Sequence, residues 1–187
     1  MAFAPAPKKQ FSKTYQAQML DFHLGQLTSN EPPERDKGAW GIFTLSQSEL
    51  GMNSILRSKR EVVAALANAL IRHNLDTAKY GAANALRNIA AADSVAGKQA
   101  ADLLNQHIPA LISQLHDPTA WRAASDLQKI AHISTALRKR VMAGLRALAE
   151  DTADSAARDA AAKLMRRIAS LEETAQDKQD EISRYIR

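Results

Sequence analysis

Residues 123–131 read Ala123-Ala124-Ser125-Asp126-Leu127-Gln128-Lys129-Ile130-Ala131, the middle copy of a pattern written three times. The first copy is Ala82-Ala83-Asn84-Ala85-Leu86-Arg87-Asn88-Ile89-Ala90 and the third Ala161-Ala162-Lys163-Leu164-Met165-Arg166-Arg167-Ile168-Ala169. Each is Ala-Ala-x-x-(Leu/Met)-x-x-Ile-Ala, and the closing isoleucines fall 41 and then 38 residues apart. Apolar residues recurring at steps of three and four line one side of a helix. A period of this size is the signature of stacked helical repeats.

The paired alanines let two helix backbones approach near the short end of the roughly 8–10 Å interaxial range. Upstream, Leu70 and Leu111 each stand 19 residues before Ile89 and Ile130, and Leu148 stands 20 before Ile168. Each unit is therefore expected to hold at least two antiparallel helices, which bury their apolar faces by stacking on neighbours. In the middle unit Pro109 suits a first helical position. Pro118 stops that helix, because the residue before a proline is pushed out of the α region. Asp117 or Thr119 is the expected cap of the helix that follows.

These residues carry a resemblance. Ile108 to Ala131 resembles an armadillo repeat in its Ile-Pro-x-Leu-Ile opening, Asp-Pro turn and Ala-Ala-x-x-Leu-x-x-Ile-Ala close, and Asn88-Ile89-Ala90 matches the usual Asn-Ile-Ala ending. The similarity runs from about Val62 to Ala169, with HEAT repeats as the near relative. It implies an all-α fold: a short right-handed α-solenoid of about three armadillo/HEAT-like repeats, with an N-terminal cap or docking segment. The family's usual tryptophan, four residues before the asparagine position, is Asn84, Ser125 and Lys163 here.

The 187 residues are 45% hydrophobic and 24% charged, ordinary for a soluble domain, but only 5% aromatic, so the core is built from Ala, Leu and Ile. The absence of cysteine removes disulfides, thiolate catalysis and cysteine-type zinc sites. No apolar run approaches the ~18 residues a membrane span requires. Lys8, Lys9 and Lys13 interrupt any signal-type apolar core at the start. A cytoplasmic location is expected, with export by a specialised route left open. The net charge of +5 reads either as ordinary solubility or as attraction to an acidic partner.

In chain order, 1–13 is expected to be disordered, and 14–60 to form an N-terminal helix, loop and cap segment. The repeats occupy 61–170, and 171–187 is a helical tail whose Leu171, Ala175, Ile182 and Ile186 could seal the far end. The first helix is expected to present Tyr15, Met19, Phe22 and Leu27 along one face. Residues 28–41 read as a loop from their Asn-Glu-Pro-Pro-Glu composition. Trp40 to Leu45 reads as an extended piece or an apolar strip against the first repeat. Two basic clusters, at 57–60 and 138–140, read as solvated helix starts. The N-terminal third is a cap over an otherwise exposed end, or a docking or export segment.

The histidines His23, His73, His107, His116 and His132 are scattered without zinc spacing and read as surface residues. There is no glycine-rich phosphate loop and no Gly-x-Ser-x-Gly elbow. No catalysis, cofactor or metal is expected. The resemblance implies instead that the later helix of each unit lines a concave groove. Four-residue steps along it give Tyr80, Asn84 and Asn88, then Trp121, Ser125 and Lys129, then Asp159, Lys163 and Arg167. Aromatic and cationic residues of this kind dominate binding hot spots. The reading is a non-catalytic protein-protein interaction module holding an acidic or extended partner segment. Two rivals stand beside it: binding of a nucleic-acid backbone, where the aromatic and acid that some HEAT-like relatives use to excise damaged bases would here be Trp121 and Asp126, and a secreted bacterial effector or adaptor. Self-association is open.

Overall fold

Side-chain caps and proline positions divide the chain into helices. The computed structural model describes residues 13–72, 76–117 and 120–185, with the side chains of 72, 76 and 171–185 left aside. The expected disorder of 1–13 lies outside those residues except at Lys13, which is already helical. His73, the Pro118 stop, a Thr119 cap and Ile186 also lie outside, as do the side chains by which Leu171, Ala175 and Ile182 would seal the end. Among them there are ten α-helices, one 3-10 turn and no strand, so the protein is all-α.

The helices are α1 (Lys13–Leu27), α2 (Pro32–Ser46), α3 (Glu49–Arg57), α4 (Lys59–Arg72), α5 (Asp76–Ala92) and α6 (Ser94–Asn105). They continue with α7 (Ile108–Ser113), α8 (Ala120–Ile133), α9 (Thr135–Asp151) and α10 (Ser155–Tyr185). Ser48, Asp93 and Ser134 cap α3, α6 and α9, each accepting a backbone N–H three residues on. Asp154 opens α10, its Oδ1 accepting from Ala156 N at 2.9 Å and Ala157 N at 3.3 Å. Pro109 lies in the first turn of α7, and Asp117, ahead of Pro118, is extended at ψ 156°. It closes the turn at Gln114–His116, and its carbonyl accepts from Ala120 N at 2.9 Å at the start of α8.

The three copies of the alanine pattern bury the same positions. Ala82, Ala123 and Ala161 are at most 2% exposed, and Ile89, Ile130 and Ile168 at most 1%. Burying each isoleucine contributes about 1.5–3 kcal/mol. Helices α2, α5, α8 and α10 pack in a row, α5 against both α2 and α8, and α8 against both α5 and α10. Helix α4 packs on α5, α6 on α4 and α5, and α9 on α8 and α10; α1 packs on α2 and α3.

Residues 28–41 are not a loop, and Trp40 to Leu45 is not extended: both belong largely to α2. Pro32 and Pro33 stand in the first turn, where a missing N–H costs nothing, so the pair starts a helix. Gly38 lies inside α2 because a side chain there would strike the backbone of His23 and Leu27 on α1. The face expected for α1 also differs. Gln16, Leu20, Leu24 and Leu27 are buried, whereas Tyr15 and Phe22 are exposed. Met19 is partly buried against the core. The face turned inward steps by fours from Gln16 through Leu20 to Leu24, on a helix packed against both α2 and α3.

The basic clusters are only partly solvated. Lys59 Nζ bonds Asp93 Oδ2 at 2.7 Å, tying the start of α4 to the start of α6 and holding the Asp93 carboxyl below its usual range. Arg138 is half-buried, with Nε 3.4 Å from the Ala131 carbonyl near the end of α8, while Lys139 and Arg140 are exposed.

Candidate binding cleft

Helices α5 and α8 pack together, and between them lies a cleft of about 210 Å³. Tyr80, Ala83, Asn84, Ser125, Gln128, Lys129 and His132 line it. The cleft therefore offers amides, a hydroxyl, a phenol and cationic or imidazole nitrogen, and among the described residues no carboxylate lines it.

Lys129 spans the cleft. Its Nζ lies 4.5 Å from the centre of the Tyr80 ring and donates to Ser125 Oγ at 2.6 Å. It is 4% exposed and stands 3.8 Å from Asp126 Oδ1. Asp126 Oδ2 in turn accepts from Lys79 Nζ of α5. Lys79, Asp126 and Lys129 thus form a buried ionic run from α5 to α8, in which an unpaired member would be strongly destabilising.

His132 is half-buried at the end of α8, not a chance surface residue. Its Nε2 accepts from Arg87 Nη1 of α5, so the neutral ring carries its proton on Nδ1. Burial first, then the charges of Arg87 and Arg138, hold the imidazole below the usual histidine range.

The column singled out by sequence is divided. Tyr80, Asn84, Ser125 and Lys129 meet in the cleft. Asn88 turns away to α2, donating from Nδ2 to Ser46 Oγ at 2.9 Å. Trp121, 60% exposed, does not join Tyr80. It borders a separate cavity of about 640 Å³ with Leu70, Ile71, Leu111, Lys79 and Asp126, and Arg122 stands 5.2 Å over its ring. The ionic run lies between the two cavities, since Lys79 and Asp126 line one and Lys129 the other. Lys163 and Arg167 are exposed on α10, the next helix of the row, together with Asp159 and Arg166.

Arg87, Gln128 and His132 stand outside the column that four-residue steps pick out. Stepping by fours follows one strip of a helix, whereas the open face drifts by alternating threes and fours; Ser125, Gln128 and His132 lie on that path. Among the described residues no group of three His, Cys, Asp or Glu side chains could hold a metal, and no helix is long and apolar enough to cross a membrane.

No protein-family model and no curated protein matches the chain. Two crystal structures of engineered proteins from a structural genomics consortium are similar to it. One aligns with a TM-score of 0.48 and 22% identity over 81% of this chain and 62% of its own. The other gives 0.43 and 22% over 78% and 61%. The chain thus spans about three fifths of each, and a likeness of this degree bears on neither function nor partner.

Proposed function

We propose that the chain is a non-catalytic protein-binding module that holds an acidic, extended segment of a partner along the open face of α5, α8 and α10. Its architecture is then a short right-handed α-solenoid of three armadillo/HEAT-like units, α4–α5, α6–α8 and α9–α10, with α1 to α3 as the cap of the first. The row of α2, α5, α8 and α10, with equivalent alanines and isoleucines buried in three of them, supports that architecture.

The observation that carries the function is the lining of the α5–α8 cleft: amides, hydroxyls, Lys129 and His132, with no carboxylate among the described residues. On α10 the positions matching Ser125, Gln128 and Lys129 are Lys163, Arg166 and Arg167, all exposed, so the cationic character continues along the row. Asn84 and Gln128 offer both a donor and an acceptor, as an extended backbone requires. Asp126 is not a free base, since Lys79 and Lys129 flank it. The test is a backbone-amide shift map of the full chain titrated with a hexaglutamate peptide. Shifts concentrated at Asn84, Ser125, Gln128, Lys163 and Arg167 are expected; shifts confined to α9 would reject the face.

One observation favours the nucleic-acid rival: the exposed Trp121 with Arg122 over its ring, a stacking surface beside a cation. Affinity for single-stranded DNA that falls steeply with salt and is lost in Trp121→Ala would support it over the acidic-segment reading.

A further inference from the structure

Arg87 and His132 reach each other across the edge of the cleft, one from α5 and one from α8. We propose that this pair is the seat of one carboxylate of the bound segment, which enters together with a proton on His132. The inference rests on the α5–α8 face being the binding surface.

The geometry sets the coupling. In the chain alone, neutral His132 accepts from Arg87, and one lone pair holds the two side chains together. A protonated imidazole has only donors, so it cannot keep that bond. Protonation then sets two cations side by side, with Arg138 of α9 nearby and Lys129 one turn earlier on α8. Tyr80 is the other titratable group of α5 in the cleft, and its ring already faces Lys129. None of α10's described ionisable groups is among the causes that act on His132. A carboxylate placed between Arg87 and the imidazolium reverses the balance. One oxygen accepts from the guanidinium and the other from Nε2–H, both charge-assisted bonds. Among the described residues none that lines the cleft supplies that carboxylate, and the proposal assigns it to the ligand. Proton and carboxylate therefore favour each other's binding, and each must do so by the same factor.

The experiment follows the His132 ring by NMR in the full chain from about pH 8 to 5.5, with and without a hexaglutamate peptide whose side chains stay ionised over most of that range. The His132 pKa is expected to rise on adding peptide. Each unit of rise makes the peptide bind about tenfold tighter below the free-chain pKa than above the peptide-bound one. His132→Gln should lose the gain on acidification, and His116→Gln should keep it. A peptide that binds while the His132 pKa stays fixed overturns this inference and leaves the binding surface standing. A peptide that binds at neither end of the range removes the surface itself, and the inference with it.

Discussion

Lys129 Nζ sits 4.5 Å above the Tyr80 ring and 3.8 Å from Asp126 Oδ1, so the cation nearest the middle of the cleft is a structural tie between α8 and α5. Charge reversal there cannot probe binding alone. Lys129→Glu would set a second carboxylate beside Asp126 in a site where the lysine is 4% exposed. Loss of a buried partner costs about 3–5 kcal/mol, so the urea midpoint should fall sharply. Lys163→Glu and Arg167→Glu, on exposed positions, should move stability by no more than about 0.5 kcal/mol. Equal midpoints for all three would show that Lys129 is not held as described.

Helix α2 touches α5 at Gly81, where a Cβ would lie 3.0 Å from the backbone of Ala39 and Trp40. Leucine favours a helix over glycine by about 0.8–1 kcal/mol, so any destabilisation by Gly81→Leu must come from forcing the two helices apart. A net loss of about 1–3 kcal/mol is expected, with faster amide exchange throughout α2. A stabilised variant would mean that α2 does not pack there.

The imidazole of His132 is held below its usual range by burial and by Arg87 and Arg138. Its stabilising contribution is present above the unfolded histidine value of about 6.5. As pH falls below that value the unfolded chain binds a proton first, and the contribution is lost on the way down to the folded pKa. Unfolding midpoints of the parent should therefore fall more steeply on acidification than those of His132→Gln. Parallel curves would contradict this.

Asp154 caps α10, and His116, with Nδ1 3.1 Å from Oδ2, helps hold its carboxyl below the usual range together with the capped amides. Asp154→Ala should cost about 1 kcal/mol, read as a lower thermal midpoint. Asp154→Asn, which can still cap, should recover most of it. Equal losses in both would leave the cap without a role.

The helical character and the buried positions were legible because they depend on spacing alone: Ile89, Ile130 and Ile168 repeat, and all three are buried. Helix α2 was not, because Pro32-Pro33 starts a helix as readily as it marks a loop, and only packing on α1 decides. Helix α6 is marked only locally, by Asp93 accepting from Ala96 N, with no copy of the alanine pattern to announce it. The cleft was half legible. Tyr80, Asn84, Ser125 and Lys129 share a strip in the sequence pattern, while Trp121 borders another cavity and Asn88 faces α2. The contact of Arg87 with His132 joins residues 45 apart, a relation that only the packing of α5 on α8 creates.

Two triple variants with the same net charge test the proposed groove most directly. Lys163→Glu/Arg166→Glu/Arg167→Glu alters the row face, and Lys139→Glu/Arg140→Glu/Arg146→Glu alters exposed cations of α9. Both lower the charge equally, so general attraction to a +5 chain cancels between them. Titration with labelled hexaglutamate should show binding lost in the first and kept in the second. Equal loss in both, or loss only in the α9 variant, would contradict a groove along α5, α8 and α10.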